Sequence, residues 1–165
     1  MDFSDIINIL IEKFGKEVVV DEQVTGLQSA LVINPDQIAD VCLELRDNKF
    51  TYFDFLSCLT GVDHGAVENK FSVVYHLASI PYKSQLTLKV IKGHERSSDT
   101  LPVFLSVSDV WKTAEWHERE AYDLLGIYFE GNPDLRRILL PDDWEGYPLR
   151  KDYVAAEEYK GIKIN

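Results

Sequence analysis

The sequence has few cysteines and no long apolar run. Its 165 residues include only Cys42 and Cys58, too few for a four-cysteine iron–sulfur site or a disulfide framework. Both lie in apolar stretches, which favours buried thiols. No stretch approaches the roughly 18 apolar residues of a membrane span, and the N-terminus is acidic where a secretory signal is basic. We expect a soluble cytosolic chain that reaches a membrane only through another protein.

Positive charge is also scarce. The chain carries 17 Lys and Arg against 28 Asp and Glu, a formal net charge of −11. Nucleic-acid binding requires a basic face, so we expect no nucleic-acid partner. Neither glycine-rich phosphate loop, GxGxxG or GxxxxGK[ST], is present, so the sequence offers no nucleotide-binding motif. Hydrophobic residues make up 45% of the chain, as in a globular protein.

Two helices and two short strands are predicted in the first third of the chain. Apolar residues recur at helical spacing over residues 3–14, and Gly15 is suited to end that helix. Two short apolar runs flank a predicted turn at Thr25-Gly26. Asn34 and Pro35 then suit the start of a second helix, because Asn caps and Pro is tolerated in the first turn.

Three further strands and a third helix complete the predicted domain. Residues 50–62, 71–77 and 86–90 are predicted to be strands, the last two by their period-2 alternation of apolar and polar side chains. The third helix ends at Gly126. The order α-β-β-α-β-β-β-α indicates an α+β fold, a two-layer domain with a mixed sheet over residues 1–126. An extended irregular C-terminal segment, residues 127–165, is predicted to follow.

The third predicted helix, which Ser108 can cap, carries an acid in an unfavourable place. Its apolar stripe comprises Trp111, Ala114, Glu118, Ala121, Tyr122 and Leu125. A carboxylate on such a face is costly unless it is paired or hydrogen-bonded. We therefore expect that face to meet solvent or a partner, or a cation to reach Glu118. Arg136 or Arg137 is the predicted cation, reaching Glu118 or Glu120 within the chain or across an interface.

The C-terminal segment is too apolar and aromatic for a free tail. It alternates acidic and basic residues around Trp144, Tyr147 and Tyr153, and Arg and aromatic residues are enriched at protein interfaces. Two interpretations stay open. The segment wraps back on its own domain, or it lies across another protein. We favour the second, because the preceding layers should already close a small core; a plain solvated loop is the remaining alternative.

Catalytic and metal-binding interpretations of the third helix are weak. Glu115, Glu118, Glu120 and Asp123 could supply a general acid and base, but no nucleophile accompanies them, and Arg119 pairs at helical spacing with two of them. His117 and Glu120 could share a metal, but the other histidines show no paired spacing. We expect no catalytic residue, no metal site and no cofactor in this chain. A free-standing enzyme built on these carboxylates is the alternative.

A family resemblance rests on the strings EREAYDLLGIYFEG (118–131), PDLRRILLPDDWEG (133–146) and PLRKDY (148–153). Together they resemble the 30-kDa-type (C-type) subunit of proton-translocating NADH:quinone oxidoreductase, respiratory complex I. The likeness is nearly continuous over residues 115–153 and weaker before them. The family usually has histidine where this chain has Asn132, which forms hydrogen bonds but does not titrate near pH 7.

The resemblance implies a non-catalytic structural and assembly subunit of the peripheral arm, on the cytoplasmic side of the inner membrane. It implies docking on the 49-kDa-type (D-type) subunit of the quinone site, with contacts to the B-type subunit and the iron–sulfur subunits. NADH, FMN, iron–sulfur clusters and quinone would belong to the whole complex. The alternative is the equivalent subunit of a related membrane-bound hydrogenase or other-donor quinone reductase.

The expected partner interface combines charged and apolar residues of the third helix and the C-terminal segment. Its members are Glu118, Arg119, Glu120, Asp123, Leu135, Arg136, Arg137, Ile138, Leu139, Leu140, Asp142, Asp143, Trp144, Tyr147, Arg150 and Lys151.

Overall fold

A five-stranded mixed sheet organises the fold. The structure is a computed structural model that describes residues 3–24, 29–96 and 100–163. The strands are β1 (Val19–Gln23), β2 (Ala30–Ile33), β3 (Phe55–Asp63), β4 (Lys70–Ser79) and β5 (Ser84–Gly93), in the spatial order β1-β2-β5-β4-β3. The pair β2–β5 is parallel and the other pairs are antiparallel. The predicted α+β class with a mixed sheet is confirmed. The predicted turn at Thr25-Gly26 lies outside the described residues.

Among the described residues, three α-helices accompany the sheet: α1 (Phe3–Phe14), α2 (Ile38–Asp47) and α3 (Ala114–Leu125). The turn before α2 is a 3-10 helix, Pro35–Gln37, in which the Asn34 side chain accepts from the amide of Asp36, as predicted for a cap. Gly126 ends α3 in the left-handed conformation, also as predicted.

The core lies between one face of the sheet and the helices. In β4 the alternation buries Phe71, Val73, Tyr75 and Leu77, each at most 1% exposed, and their partners in β5 include the buried Leu86, Leu88 and Val90. Cys42 on α2 is buried as expected. Cys58 is exposed, contrary to the expectation, because it follows an irregularity in the β3–β4 register and lies opposite His76, on the other face of the sheet.

Four short strands in the described residues were not predicted from the sequence. β6 (Val103–Leu105) and β7 (Tyr128–Glu130) flank α3 and pair in parallel, in a small sheet of their own. A hairpin of β8 (Glu158–Tyr159) and β9 (Ile162–Lys163) lies near the end of the chain. The C-terminal segment therefore begins with ordered structure, because Ile127 and Phe129 are buried in the core, and it is irregular between β7 and β8.

Helix α3 begins later than predicted. Ser108 does not cap it, because residues 107–113 form successive turns before Ala114. The Ser108 hydroxyl contacts that of Ser106 instead. Trp111, in these turns, is 6% exposed and its indole N–H donates to the carbonyl of Phe53 at 3.2 Å. The preceding turns thus fix α3 to the end of the loop that enters β3.

Candidate functional site

The candidate site is the C-terminal segment where it lies along helix α3. Two acids of α3, Glu118 and Asp123, are both 0% exposed. Both carboxylates accept hydrogen bonds from residues of the C-terminal segment. A buried carboxylate is tolerated only when its oxygens accept hydrogen bonds. The residues after α3 supply donors to both carboxylates, so the burial of Glu118 and Asp123 fixes the path of the C-terminal segment.

Asp123 is the main anchor of the segment. One carboxylate oxygen accepts the backbone N–H groups of Ile138, Leu139 and Leu140, at 3.0, 2.7 and 2.9 Å. The other accepts Nη1 of Arg137 at 2.7 Å. Burial by itself would raise the pKa of Asp123, but these hydrogen bonds outweigh it and hold the pKa below its ordinary value. The charge of Asp123 is therefore retained and is neutralised within the chain.

Glu118 is satisfied without a cation. Its carboxylate accepts the Val107 amide at 2.8 Å, the Ser106 hydroxyl at 2.7 Å and the Asn132 side-chain amide at 2.7 Å. Burial raises the pKa of Glu118, and the three hydrogen bonds oppose that rise only in part. The predicted pairing of Arg136 or Arg137 with Glu118 or Glu120 was wrong. Neutral donors from the turn after β6 and from the segment satisfy Glu118.

The guanidinium of Arg137 ties three parts of the chain together. Besides the carboxylate of Asp123, Nη1 donates to the Asp123 carbonyl at 3.0 Å. Nη2 donates to the carbonyls of Trp144 and Gly146, each at 3.0 Å. These contacts close the loop between residues 137 and 146 and fix its shape against α3.

Arg150 and Tyr147 close the end of α3. Arg150 donates to the carbonyls of Leu125 and Gly126 at 2.7 and 3.2 Å, where the helix leaves carbonyls without partners. Its guanidinium lies 4.8 Å from the ring centroid of Tyr147, and burial lowers the pKa of Arg150. Gly126 has φ 64°, and a Cβ there would stand 2.6 Å from the Tyr147 ring, so only glycine fits both the turn and the contact.

Asp63, at the end of β3, holds the far part of the segment. Its carboxylate accepts the amide of Lys151 at 2.9 Å and the amide of Gly65 at 2.7 Å, and it pairs with Arg96. Burial opposes ionisation, but these donors lower the pKa of Asp63 to about 2. Arg96 also pairs with Asp152 at 3.1 Å. The sequence did not reveal this cluster, because Arg96 and Lys151 lie 33 and 88 residues from Asp63 along the chain.

Arg119 completes the attachment from the middle of α3. It is 8% exposed, and it donates to the carbonyls of Arg136 and Arg137 at 3.2 and 2.9 Å. Arg136 itself points outward and pairs with Asp134 at 2.9 Å. The two neighbouring arginines therefore differ. Arg137 is structural within this chain, and Arg136 is available at the surface.

Several side chains of the segment are exposed to solvent. Leu139 is 61% exposed and Leu149 is 59% exposed. Leu139 belongs to the expected interface, and Leu149 was not part of it. The other aliphatic and the aromatic residues of the expected interface are half-buried, namely Leu135, Ile138, Leu140, Trp144 and Tyr147. Glu120, Asp142, Asp143 and Lys151 are exposed. Asp143 accepts from the Tyr159 hydroxyl at 2.8 Å. We call the exposed side chains of Leu139 and Leu149, together with those of Arg136, Asp142, Asp143 and Lys151, the outer face of the segment.

The structure thus divides the expected interface residues into two groups. Glu118, Arg119, Asp123, Arg137 and Arg150 form contacts within the chain, because the backbone of the segment brings donors and acceptors to them. Their side chains are occupied before any partner binds. The outer face keeps the exposed members of the expected set, which remain a prediction for partner contact.

Other chemistry-bearing side chains are dispersed. Within residues 3–24, 29–96 and 100–163, no group of three or more His, Cys, Asp or Glu side chains is placed to hold a metal ion. His64 lies 2.9 Å from the hydroxyl of Ser72, but Ser72 is 0% exposed, so that hydroxyl is shielded from any substrate. In the part of the chain that the structure describes, every helix is too short or too polar to span a bilayer.

Comparisons with known proteins give a consistent family. The family model for the 30-kDa subunit of respiratory-chain NADH dehydrogenase matches residues 31–159. The NADH-quinone oxidoreductase C-type subunit of Chloroherpeton thalassium is 43% identical over 157 residues, with 94% of this chain and 62% of that protein covered. The C-type subunit of Chlorobium phaeobacteroides is 41% identical over 157 residues, with 95% of this chain and 92% of that protein covered. The chain therefore spans less than two thirds of the first relative and most of the second.

A solved structure extends the likeness to a different complex. A chain of the membrane-bound sulfane sulfur reductase, an archaeal respiratory membrane complex, superposes with a TM-score of 0.72 at 25% identity. The superposition covers 92% of this chain and 85% of that chain. The fold, most of the C-terminal segment included, is therefore similar to that of a chain from another respiratory assembly.

Proposed function

The chain belongs to the family of the 30-kDa subunit of respiratory-chain NADH dehydrogenase, and from that premise we propose that it is a structural and assembly subunit. It serves in the peripheral arm of proton-translocating NADH:quinone oxidoreductase, on the cytoplasmic side of the inner membrane. It docks on the 49-kDa-type (D-type) subunit and contacts the B-type subunit and the iron–sulfur subunits. NADH, FMN, the iron–sulfur clusters and quinone are held by other chains of the complex.

The attachment of the C-terminal segment to α3 is the observation that carries this proposal. A stretch with little regular structure is held in one path by buried charge. Asp123 alone orders three successive amides and Arg137. Order of this kind costs conformational entropy, about 1–2 kcal/mol per residue fixed, and it is expected where a surface must keep its shape for a partner.

A preorganised surface favours docking over catalysis. Because the segment is already ordered, binding a partner does not repeat that entropic cost. Two of the four acids that could have served as general acid and base, Glu118 and Asp123, instead accept hydrogen bonds that hold the segment in place. The outer face offers Leu139 and Leu149 as apolar anchors, with Arg136 and Lys151 beside them for charged contacts.

The test is recovery of the 49-kDa-type subunit with a tagged version of this chain from the native complex. Leu139→Asp combined with Leu149→Asp should reduce that recovery at least about tenfold, since burial of each leucine stabilises a contact by roughly 1.5–3 kcal/mol. Val67→Asp is the matched control, because Val67 is 100% exposed in the loop between β3 and β4. Undiminished recovery with the double variant would refute docking through the outer face.

Arg137→Ala would be a poorer test. It removes a cation from the fully buried Asp123 and so disturbs the segment itself. Loss of a partner would then report misfolding of the segment as readily as a lost contact. Arg136→Ala is the informative charge variant, since the Arg136 side chain is 69% exposed.

A second candidate function keeps the structural role and changes the complex. The likeness to the sulfane sulfur reductase chain favours it, as that likeness covers 92% of this chain. In this case the chain is the equivalent subunit of a related membrane-bound hydrogenase or other-donor quinone reductase. Identification of the donor-oxidising subunits that copurify with the tagged chain decides between the two. NADH-oxidising flavoprotein subunits support the first, and hydrogenase or sulfur-reducing subunits support the second.

A further inference from the structure

A second apolar patch lies at the opposite end of the sheet from the C-terminal segment. Its members are exposed by 44% to 65% and lie on the loop before β3, at the start of β3 and on the β4–β5 turn: Phe50, Tyr52, Phe55, Ile80 and Tyr82. We call this set the aromatic patch. The segment is anchored at Asp63, the last residue of β3, and the patch includes Phe55, the first residue of that strand. At about 3.3 Å per residue, the strand separates the two by roughly 26 Å.

The two loops of the aromatic patch are held together by specific hydrogen bonds. The Tyr82 hydroxyl donates to the carbonyl of Lys49 at 2.6 Å, and the Asp54 carboxylate accepts the amide of Ile80 at 2.9 Å. Between the loops and the start of α1 lies a groove of about 630 Å³. Phe50, Phe53 and Tyr82 line it, together with polar side chains. The groove has room for one or two anchoring side chains of a partner.

Backbone strain is present at two positions in the loops that carry the patch. Tyr52 has φ 41° and Lys83 has φ 51°, a region that costs bulky residues about 1–3 kcal/mol and that glycine or asparagine occupies more readily. Neighbouring Phe53 fills the core at 1% exposure, so the core gains nothing from an aromatic ring at Tyr52. The strained backbone presents the Tyr52 ring to the surface, as expected for a residue selected for contact.

The charge around the patch indicates what it contacts. Lys49 and Lys83 are exposed, and neither pairs with a carboxylate in the described part of the chain. The Lys49 ammonium lies 4.8 Å from the Phe50 ring centroid. Of the two nearby carboxylates, Asp54 accepts the backbone amide of Ile80, and Asp5 also has a contact. In a chain of net charge −11, aromatic rings rimmed by unpaired lysines are complementary to apolar side chains flanked by acids.

We propose that the aromatic patch docks an acidic, amphipathic polypeptide segment of another subunit in the assembly. Apolar side chains of that segment enter the groove beside Phe50 and Tyr82, and its carboxylates pair with Lys49 and Lys83. The inference rests on the proposed membership in a respiratory assembly, but not on the outer face of the C-terminal segment. The chain then has one partner contact at each end of the sheet.

Site-specific photo-crosslinking in the native complex tests the proposal. The photoreactive residue p-benzoylphenylalanine is placed at Tyr52, at Leu139 on the outer face, and at Val67 as a solvent-exposed control. We expect Tyr52 to crosslink to a peptide of a different polypeptide that carries Asp or Glu next to apolar residues, and Val67 to give no product. Crosslinks from Tyr52 only to a second copy of this chain, only to lipid, or to nothing would overturn the proposal.

Charge variants test the role of the lysines. Lys49→Glu combined with Lys83→Glu should lower the yield of the Tyr52 crosslink at least about tenfold, and arginine at both positions should restore it. Lys16→Glu, near the other end of α1, should leave the yield unchanged. An unchanged yield with the double glutamate variant would overturn the acidic-partner assignment. Normal crosslinking at Leu139 with none at Tyr52 refutes this inference alone, whereas loss at both positions refutes the proposed function.

Discussion

Replacing Asp123 with asparagine should release residues 137–140 from helix α3 while the sheet stays folded. The carboxylate accepts three consecutive backbone amides and the guanidinium of Arg137. Asparagine keeps the size but offers one acceptor oxygen, turns an NH₂ group toward donors, and removes the negative charge. Breaking a buried pair in this way typically costs about 3–5 kcal/mol. Arg137 keeps its bonds to backbone carbonyls, so we take the lower end, about 3 kcal/mol, or roughly 100-fold in the local opening equilibrium.

Hydrogen exchange measured by mass spectrometry reports this opening directly. In Asp123→Asn, the amides of residues 138–140 should exchange about 100-fold faster, in line with that free energy, while amides of β4 keep their protection. Asp142→Asn is the matched control, because Asp142 is an exposed acid of the same segment. Unchanged exchange at residues 138–140 in the folded variant would show that the carboxylate does not order the segment and would refute the reasoning.

Three further predictions concern the same network. Gly126→Ala should lower the free energy of unfolding in urea by about 2 kcal/mol, because alanine is strained at φ 64° and its Cβ would meet the Tyr147 ring. The contacts of Asp63 lower its pKa in the folded state from 3.8 to about 2. The resulting stabilisation of about 2 kcal/mol should be complete above pH 5 and lost as the pH falls toward 2. Unfolding free energies measured across this pH range should show the loss, and Asp63→Asn should abolish this part of the pH dependence. Asn132→His should place an imidazolium beside the Glu118 carboxylate and raise the histidine pKa. The variant should therefore be more stable than the parent by about 1 kcal/mol below about pH 6.5, and it should lose that gain as the pH rises through the pKa of the histidine in the folded state. If the difference in unfolding free energy between variant and parent is the same at pH 5.5 and at pH 8.5, the prediction is wrong.

Local patterns predicted the main helices and strands. The alternation over residues 71–77 and 86–90 predicted β4 and β5 with the correct buried faces, because side-chain direction in a strand alternates with every residue. Asn34 and Gly126 predicted the ends of helical segments for an equally local reason, since a cap acts within one turn. The strings over residues 118–153 were sufficient to indicate the family, which the comparisons confirm.

The short strands were not predictable in this way. β6 and β7 have three residues each and pair across the whole of α3. Three residues are too few to show a period, and the pairing is visible only once α3 has brought the two ends together. The predicted start of α3 was wrong for a related reason. Ser108 has the side chain of a cap, but its hydroxyl contacts Ser106 in a turn that precedes the helix.

The sequence alone determined that α3 carries an acid on its apolar face and that arginines follow in an apolar, aromatic segment. Helical periodicity places Glu118 on that face whatever the rest of the chain does. It does not determine which acid receives the cation. In the tertiary structure Arg137 pairs with Asp123, and Glu118 accepts hydrogen bonds from neutral donors. That choice depends on the path of the backbone between residues 131 and 146, because hydrogen bonds form only where groups 14 to 17 residues apart meet within about 3 Å.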